Sequence, residues 1–281
     1  MSLLRARHAL EKTLVLILLL SAGCSSPDDL PRPESAADDT LRILAYNIHH
    51  AEGMDEVVDL DRIAALILEY DPHLVAIQEV DSVTNRTGMV DQAQELGRMT
   101  EMEHRFGRFM EYQGGAYGMA LLTKLSILET RNYVLPEGPE PRTALSIEVQ
   151  LAGSGRRVRF IGIHFYRTEE ERLAQANRLE EYLADEQHLP TILAGDFNST
   201  PESSVMEHLG LSWDIVKKGT DHFTFPSYGP DREIDFFLLK PAGQFELLSQ
   251  QLIDEPVISD HRPLLIEVIV KGGVDSQEGN N

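Results

Sequence analysis

The sequence predicts an α/β protein in which two β-sheets pack face to face, with helices outside them. Strand-like apolar segments alternate with helical segments in both halves of the 281-residue chain, and strand-like segments without intervening helices lie between them. These segments are too numerous for one comfortable open sheet, which favours two sheets. Hydrophobic residues make up 42% of the chain, which is enough to build a sizeable core.

The first half of the folded region alternates strand and helix. The predicted elements are strand 41–47, helix 59–70, strand 73–79 and helix 91–102. In the first helix, one helical face is predicted to carry Leu60, Ile63, Ile67 and Leu68, and the Asp71–Pro72 pair ends it.

The remaining segments begin with three strands that we expect to form an antiparallel meander. The predicted elements are strands 117–124, 131–135, 144–151 and 156–164, helix 168–187, and strands 191–198, 232–240 and 263–270. The helix opens with Thr168 and Glu171, which have the spacing of a capping box.

Residues 1–23 are predicted to be a secretory signal peptide. Three basic residues accompany a short apolar run, 14–23, which is too short to span a bilayer comfortably. The stretch "LSAGC" resembles a bacterial lipobox, which implies lipidation of Cys24. The alternative is an ordinary secreted protein with a cysteine inside its signal. Because Cys24 is the only cysteine, no internal disulfide can form.

The segment 24–40 is predicted to be the lipidated cysteine followed by a disordered tether, because it is rich in Pro, Ser and Asp. A single folded domain is then expected over 41–270, and 271–281 is expected to be a disordered tail. These features predict an exported, monomeric lipoprotein that contacts a membrane through its anchor, in the periplasm or at the cell surface.

The charge of the chain disfavours nucleic acid as a partner. The net charge is −21, and removal of the signal region, with three positive charges and one negative, leaves about −23. Nucleic-acid binding draws much of its affinity from Lys and Arg that neutralise phosphates. The alternative interpretation of the acidity is that it only aids solubility.

Polar residues recur at the ends of the predicted apolar strands. They are Asn47, Glu79, His164 and Asp196 at strand ends, and Asp235 and the pair Asp260–His261 at the beginning of the last two strands. Taken singly, each has a structural alternative as an ion-pair partner, a cap, a buried histidine or a turn. All can share one sheet rim only if the last two strands run antiparallel to the first four.

The residue types at these positions fit phosphoester chemistry. Hard oxygen ligands suit Mg²⁺ or Mn²⁺, and the candidates are Glu79, Asp260, Asp196, Asn47 and Asn198. Zinc is less expected at this site because the sequence has no HExxH pair and offers no thiolate there. His261 with Asp235 is the candidate proton-transfer pair.

The motifs "AYNIHH", "AIQEVD", "GMALLTK", "IGIH", "AGDFNSTP", "EIDFFLL" and "SDHRP" occur in this order. Together they resemble the endonuclease/exonuclease/phosphatase superfamily of metal-dependent phosphohydrolases, over roughly residues 41–270. The resemblance implies a four-layer α/β sandwich of two mixed sheets flanked by helices.

The resemblance also implies roles for individual residues. Glu79 is implied as the principal Mg²⁺ ligand with Asn47 and Asp260 nearby, Asp196 as the group that orients the attacking water or the leaving group, Asn198 and His164 as hydrogen-bond donors to phosphoryl oxygens, and His261, oriented by Asp235, as general acid or base. His164 lacks the second histidine that often follows at this motif, since Phe165, Tyr166 and Arg167 come next.

A separate group of residues is expected to line the pocket and hold phosphate, the arginines bidentately. It comprises Arg86, Gln92, Tyr112 and Arg142, and the alternative for each is a surface position.

Three functions follow from these observations. The first is a Mg²⁺-dependent phosphodiesterase or phosphatase that acts outside the cytoplasm on a small or lipid-borne phosphoester. The second is an exported nuclease, which the superfamily permits and the charge disfavours. The third is a non-catalytic binding module, which would have no need of the whole set of site residues.

Overall fold

The computed structural model describes residues 39–136, 138–186 and 188–271, which form two six-stranded mixed sheets with helices on both outer sides. One apolar cluster lies between the sheets and includes Ile43 and Leu121 from one sheet and Phe160 from the other. Two further clusters bury the outer faces of the sheets under helices. The predicted four-layer α/β sandwich is confirmed.

The first sheet has the strand order β11-β12-β1-β2-β4-β3. Its strands are β1 (Asp39–Asn47), β2 (Leu74–Ser82), β3 (Glu103–Tyr112), β4 (Gly115–Thr123), β11 (Phe245–Leu252) and β12 (Leu264–Val270). The four inner strands are apolar and buried along most of their length, as expected for strands covered on both faces.

The second sheet has the strand order β5-β6-β7-β8-β10-β9. Its strands are β5 (Ser126–Val134), β6 (Thr143–Gln150), β7 (Arg157–His164), β8 (Thr191–Asp196), β9 (Asp214–Ile215) and β10 (Asp235–Lys240). Strands β6, β7, β8 and β10 are again almost continuously buried.

Four helices cover the outer faces. They are α1 (Leu60–Tyr70) and α2 (Gln92–Thr100) on the first sheet, and α3 (Glu169–Leu183) and α4 (Ser204–Leu209) on the second. Each begins after a residue whose side chain accepts a backbone N–H, namely Asp59, Asp91, Thr168 and Ser203. The predicted helix 168–187 ends earlier than expected, at Leu183, and a 3₁₀ turn follows it.

The strand directions satisfy the condition for a shared rim. Strands β1 and β2 are parallel, as are β7 and β8, while β12 runs antiparallel to β1 and β10 antiparallel to β8. The ends of the first four strands and the beginnings of the last two therefore lie at the same edge of the sandwich.

The predicted antiparallel meander of 117–124, 131–135 and 144–151 is wrong for its first strand, while the other two strands pair antiparallel as expected. Strand β4 lies between β2 and β3 in the first sheet, whereas β5 and β6 pair with each other in the second. The chain changes sheet between β4 and β5. Hydrophobic alternation identifies a strand but does not specify which strands it pairs with or which sheet it joins.

Strands β3 and β11 were not expected, and both are edge strands of the first sheet. Most of β11 is exposed, whereas β3 is mainly half-buried and carries charged residues such as Glu103, Arg105 and Arg108. Edge strands are commonly polar because an apolar edge invites aggregation. The same polarity hides them from a search for apolar segments.

The ends of the folded domain shift slightly from the prediction. Residues 39 and 40, expected in the tether, begin β1, and Lys271 donates its backbone N–H to Gln244 O. The predicted signal peptide, the predicted lipidation site Cys24 and the rest of the predicted tether and tail lie outside the described residues. Within 39–271, as far as this range is described, no helix is long and apolar enough to cross a membrane.

Candidate active site

Glu79 lies in a bulge inside β2 rather than at the end of the strand. The pairing of β2 with β4 shifts register between Gln78 and Val80, and Glu79 has a φ of +56°. A bulge turns one side chain away from the strand's regular alternation, and positive φ is uncommon for a residue with a side chain. The pairing of β2 with β4 on both sides of the bulge keeps Glu79 in this unfavourable conformation. The Glu79 side chain lines the central cavity.

Gly195 allows β7 and β8 to approach closely beside the site. Its φ is +140°, and a Cβ atom there would lie 2.1 Å from Ile163 O. Only glycine avoids this collision. The close approach places His164 directly opposite Asp196 in the pairing of the two strands.

His261 and Asp235 form the buried pair expected from the sequence. The distance between His261 Nδ1 and Asp235 Oδ2 is 2.9 Å, and both side chains are about 95% buried. Asp235 in turn lies opposite Asp196 in the pairing of β10 with β8. The other ring nitrogen of His261, Nε2, lies 3.7 Å from Asp196 Oδ2 and 3.4 Å from Asn47 Nδ2.

The buried environment of this pair raises the pKa values of both Asp196 and His261 above their ordinary values. Burial and the neighbouring Asp235 raise the pKa of Asp196 to about 7. Burial disfavours the His261 imidazolium, but Asp235, Asp196 and Asp260 outweigh it and raise the pKa of His261 to about 10. Both shifts favour the protonated form of the group concerned.

His164 is a neutral member of the site. Burial and the nearby Arg142 and His261 lower its pKa well below the usual value. Its Nε2 lies 3.5 Å from Asp196 Oδ2, and its Nδ1 is buried with no hydrogen-bond partner among the described residues. The residue lines the cavity, so its predicted role as a donor to a phosphoryl oxygen stays a prediction that the geometry permits.

Asn47 and Asn198 also reach the rim. The amide nitrogen of Asn47 lies 3.2 Å from Glu79 Oε1 and 3.1 Å from Asp196 Oδ2, while its oxygen accepts the backbone N–H of His49. Asn47 therefore bridges the two carboxylates as a donor, and its role as an oxygen ligand remains a prediction. Asn198 lines the cavity at a φ of +49° and donates to Phe165 O.

The donor chemistry fits a hard divalent cation. Glu79 and Asp260 line the same cavity, and neither has an ion-pair partner among the described residues. Their hydrogen-bond donors are neutral groups, Asn47 for one and Ser259 for the other. Two carboxylates that make no direct ion pair, beside amide groups, form a set that suits Mg²⁺ or Mn²⁺.

The cavity has a volume of about 440 Å³ and a wall of alternating cations and aromatic rings. The Arg86 guanidinium lies 4.6 Å from the ring centre of Tyr112, and that of Arg142 lies 5.8 Å from that of Tyr117. Tyr112 and Tyr117 themselves lie 6.1 Å apart. The predicted pocket residues Arg86, Tyr112 and Arg142 all line this cavity.

The two arginines differ in how many of their N–H groups are hydrogen-bonded to carboxylates. Arg86 donates twice to the buried Asp81, at 2.7 and 2.8 Å. Arg142 is 96% buried and uses Nη1 for Glu140, while its Nε has no hydrogen-bond partner within the described chain. Arg142 thus retains an unused buried donor beside His164.

Gln92 does not line the cavity, contrary to expectation. It is buried, accepts the backbone N–H of Asp81 and donates to His50 O. The amide therefore ties β2 to the segment after β1. A single glutamine at the start of a helix does not indicate from the sequence that it connects two other segments.

Sequence reasoning did not identify Tyr117, Phe225 and Arg232 as cavity residues. The Phe225 ring lies 4.7 Å from that of His261, and the Arg232 guanidinium lies 4.3 Å from the Phe225 ring. Tyr117 stands within a predicted apolar strand, where an aromatic residue is expected in the core. The loop that carries Phe225 has no periodic pattern that would have marked it.

Arg262, next to the catalytic candidate His261, holds the loop before β10. Its guanidinium donates twice to Asp221, at 2.8 Å each, and also to the carbonyl oxygens of Phe223 and Ile253. We expect Arg262→Met to lower the free energy of unfolding by about 2 to 3 kcal/mol, because it removes the ion pair with Asp221 and leaves the carbonyl oxygen of the buried Ile253 without this donor. Urea unfolding checks this, and Arg98→Met, at an exposed arginine of α2, should change little.

Comparison with known sequences identifies the family of this chain. A model of a family described as the endonuclease/exonuclease/phosphatase family matches residues 44–261. No curated protein matches the sequence significantly.

Solved structures share the fold at low identity. An endonuclease/exonuclease/phosphatase from Beutenbergia cavernae is 21% identical, with a TM-score of 0.69 over 83% of this chain and 72% of that one. A mannosyl-6-phosphatase from Bacteroides thetaiotaomicron is 17% identical (TM-score 0.67, 81% and 99%). The human nocturnin catalytic domain with bound sulfate is 20% identical (TM-score 0.65, 82% and 93%).

Proposed function

The chain belongs to the endonuclease/exonuclease/phosphatase family of metal-dependent phosphoesterases, and we propose that it hydrolyses a small or lipid-borne phosphoester outside the cytoplasm. The observation that carries the proposal is the buried His261–Asp235 pair, whose free ring nitrogen faces Asp196 at the rim shared with Glu79. Proton transfer and charge neutralisation are thereby available in one cavity.

His261 moves a proton at its Nε2 in the proposed reaction. The hydrogen bond from Nδ1 to Asp235 fixes the ring orientation and leaves Nε2 directed to the cavity side, near Asp196 and Asn47. Asp196 is positioned to orient the attacking water or the leaving oxygen. Its second oxygen accepts the backbone N–H of Asn198 at 2.8 Å, which holds the carboxylate in place.

Phosphoryl oxygens would be held by donors along the cavity. His164, Asn198 and the unused Nε of Arg142 supply neutral and cationic N–H groups in a region of low solvent access. When bound by Glu79 and Asp260, a divalent ion supplies further neutralisation of the phosphoryl charge.

Two observations support a small substrate over nucleic acid. The chain is strongly acidic, which disfavours a polyanionic partner, while the cavity itself is lined by Arg86, Arg142, Arg167 and Arg232. The cavity of about 440 Å³ is of the size that holds a head group or a sugar phosphate.

A metal-supplemented phosphoester panel tests the proposal. It contains lipid head-group esters, sugar phosphates and nucleotides, each assayed with Mg²⁺ or Mn²⁺ and again with excess chelator. We expect turnover of at least one small ester that is abolished by the chelator and restored by the metal. No turnover of any ester would refute the proposal, and robust nicking of plasmid DNA at low salt would instead establish the nuclease alternative.

The cellular location is a separate part of the proposal. We expect mass spectrometry of the membrane fraction to find Cys24 as a lipidated first residue. Cys24→Ala should remove the lipid and release a soluble, monomeric protein, as measured by size-exclusion chromatography. An unmodified chain that begins elsewhere, or wild-type protein found only in the soluble fraction, would contradict the anchor.

A further inference from the structure

The segment directly after β1 has an unusual backbone. His49, His50 and Ala51 have φ values of +46°, +47° and +65°, so three consecutive residues with side chains adopt left-handed conformations. Such conformations cost free energy and persist only where the surroundings impose them. Here Gln92 imposes them by donating to His50 O while accepting the N–H of Asp81, two residues after Glu79.

This turn brings two imidazoles to the Glu79 carboxylate. One ligand-capable atom from each of His49, His50 and Glu79 lies within 4.8 Å of the other two. Glu79 is itself held in a left-handed bulge, so two separately strained segments converge on one point. Strain at converging side chains is typical of sites that bind or react.

The hydrogen bonds of the two histidines select one free nitrogen on each ring. Glu52 contacts both rings, because its carboxylate lies 3.1 Å from His50 Nε2 and its carbonyl oxygen lies 3.2 Å from His49 Nδ1. Histidines that bind metals usually donate their other ring N–H to a carboxylate or a backbone carbonyl in this way. The nitrogens left over are His49 Nε2 and His50 Nδ1.

His50 Nδ1 provides an independent indication of a missing ligand. The His50 side chain is 93% buried, yet Nδ1 has no hydrogen-bond partner among the described residues. A buried nitrogen without a partner is unfavourable unless something else occupies its lone pair. His49 and Glu79 are only half-buried, so an ion from solvent can reach the cluster.

We propose that His49 Nε2, His50 Nδ1 and the Glu79 carboxylate form a second metal site, for a divalent ion of the zinc class. Two imidazoles and one carboxylate suit Zn²⁺, whereas Mg²⁺ prefers oxygen ligands alone. The site lies beside the cavity and shares only Glu79 with the predicted magnesium ligands. Its metal would position the carboxylate that the proposed hydrolysis uses.

Zn²⁺ titration of tag-free protein, previously stripped by a chelator, tests the site. We expect calorimetry to find a Zn²⁺ site that excess Mg²⁺ does not displace and that both His49→Ala and His50→Ala abolish. Glu52→Gln, which keeps the histidines, should weaken Zn²⁺ binding by about 10-fold or more. His188→Ala, at an exposed histidine far along the chain, is the matched control and should bind as the wild type does.

Nitrogen-15 NMR of labelled histidine rings identifies the ligand atoms directly. We expect Zn²⁺ to shift His49 Nε2 and His50 Nδ1, and circular dichroism of each variant to match that of the wild type. Unshifted ring nitrogens in the wild type, or unchanged Zn²⁺ binding by correctly folded His49→Ala, would overturn the site. Because no phosphoester is present, failure of the proposed hydrolysis would leave this result intact, and the reverse also holds.

Discussion

His261→Ala is expected to lower kcat by about 10³-fold, within the range of roughly 10² to 10⁴ that a positioned acid–base group contributes. The substitution removes the ring nitrogen that faces Asp196 and leaves Asp235 buried without its partner. Steady-state kinetics on the ester identified by the panel measure the effect. KM should change less than kcat, because the imidazole acts on the reacting proton rather than on the rest of the substrate.

Two further variants separate chemistry from folding in this experiment. Asp235→Asn keeps the size of the side chain but favours the wrong orientation or tautomer of His261, so it should also reduce kcat severely. His188→Ala, at an exposed histidine outside the cavity, should retain full activity. If His261→Ala folded normally and kept wild-type kcat, the assignment of the proton-transfer residue would be wrong.

Glu79→Gln is expected to reduce activity at low Mg²⁺ by on the order of 10²-fold or more, as the loss of one group that stabilises transition-state charge does elsewhere. The amide has nearly the same shape as the carboxylate but loses the charge that attracts a cation. Raising the Mg²⁺ concentration should restore part of the lost activity. The measurement is a Mg²⁺ titration of the initial rate, compared between the variant and the wild type.

The Mg²⁺ dependence of the rate should differ between Glu79→Gln and His261→Ala. Added Mg²⁺ should not rescue His261→Ala, because that variant keeps both cavity carboxylates, Glu79 and Asp260. Glu207→Gln, at an exposed glutamate of α4, is the matched control and should behave as the wild type. An identical Mg²⁺ dependence for Glu79→Gln and the wild type would exclude Glu79 as a metal ligand.

The proposed zinc-class site gives Glu79 a second function. If a metal at His49 and His50 positions this carboxylate, a zinc-stripped enzyme should need more Mg²⁺ for the same rate. Glu79→Gln should then weaken the binding of both metals, whereas His49→Ala should abolish the Zn²⁺ site and raise the Mg²⁺ requirement only as far as zinc stripping does.

Much of the fold was predictable from local patterns. The inner strands, such as β1 and β8, are apolar along their length because both faces are covered, and that pattern is visible in the sequence. The edge strands β3 and β11 were not predictable in this way, because one edge and much of their surface meet solvent. The prediction that β4 and β5 share a sheet was wrong, because the alternation of apolar and polar residues does not specify which strand is the pairing partner.

Much of the candidate site was also predictable, because its members stand at strand ends. His164 and Asp196 end β7 and β8, and Asp235 begins β10, so the register alone brings the three together. The bulge at Glu79 was not predictable, since it depends on how β2 pairs with β4. The same holds for Gln92, whose two backbone contacts lie far apart in the sequence.

Hydrophobic periodicity and short motifs were sufficient to predict the two-sheet architecture, the family and the identity of the rim residues, because these properties are encoded locally in the chain. Which side chains meet depends on the tertiary structure. It placed the His261 ring between Asp235 and Asp196 and directed His49 and His50 toward Glu79. The physical reason is that pairing register, bulges and left-handed turns are imposed by contacts between segments distant in sequence, which no local pattern encodes.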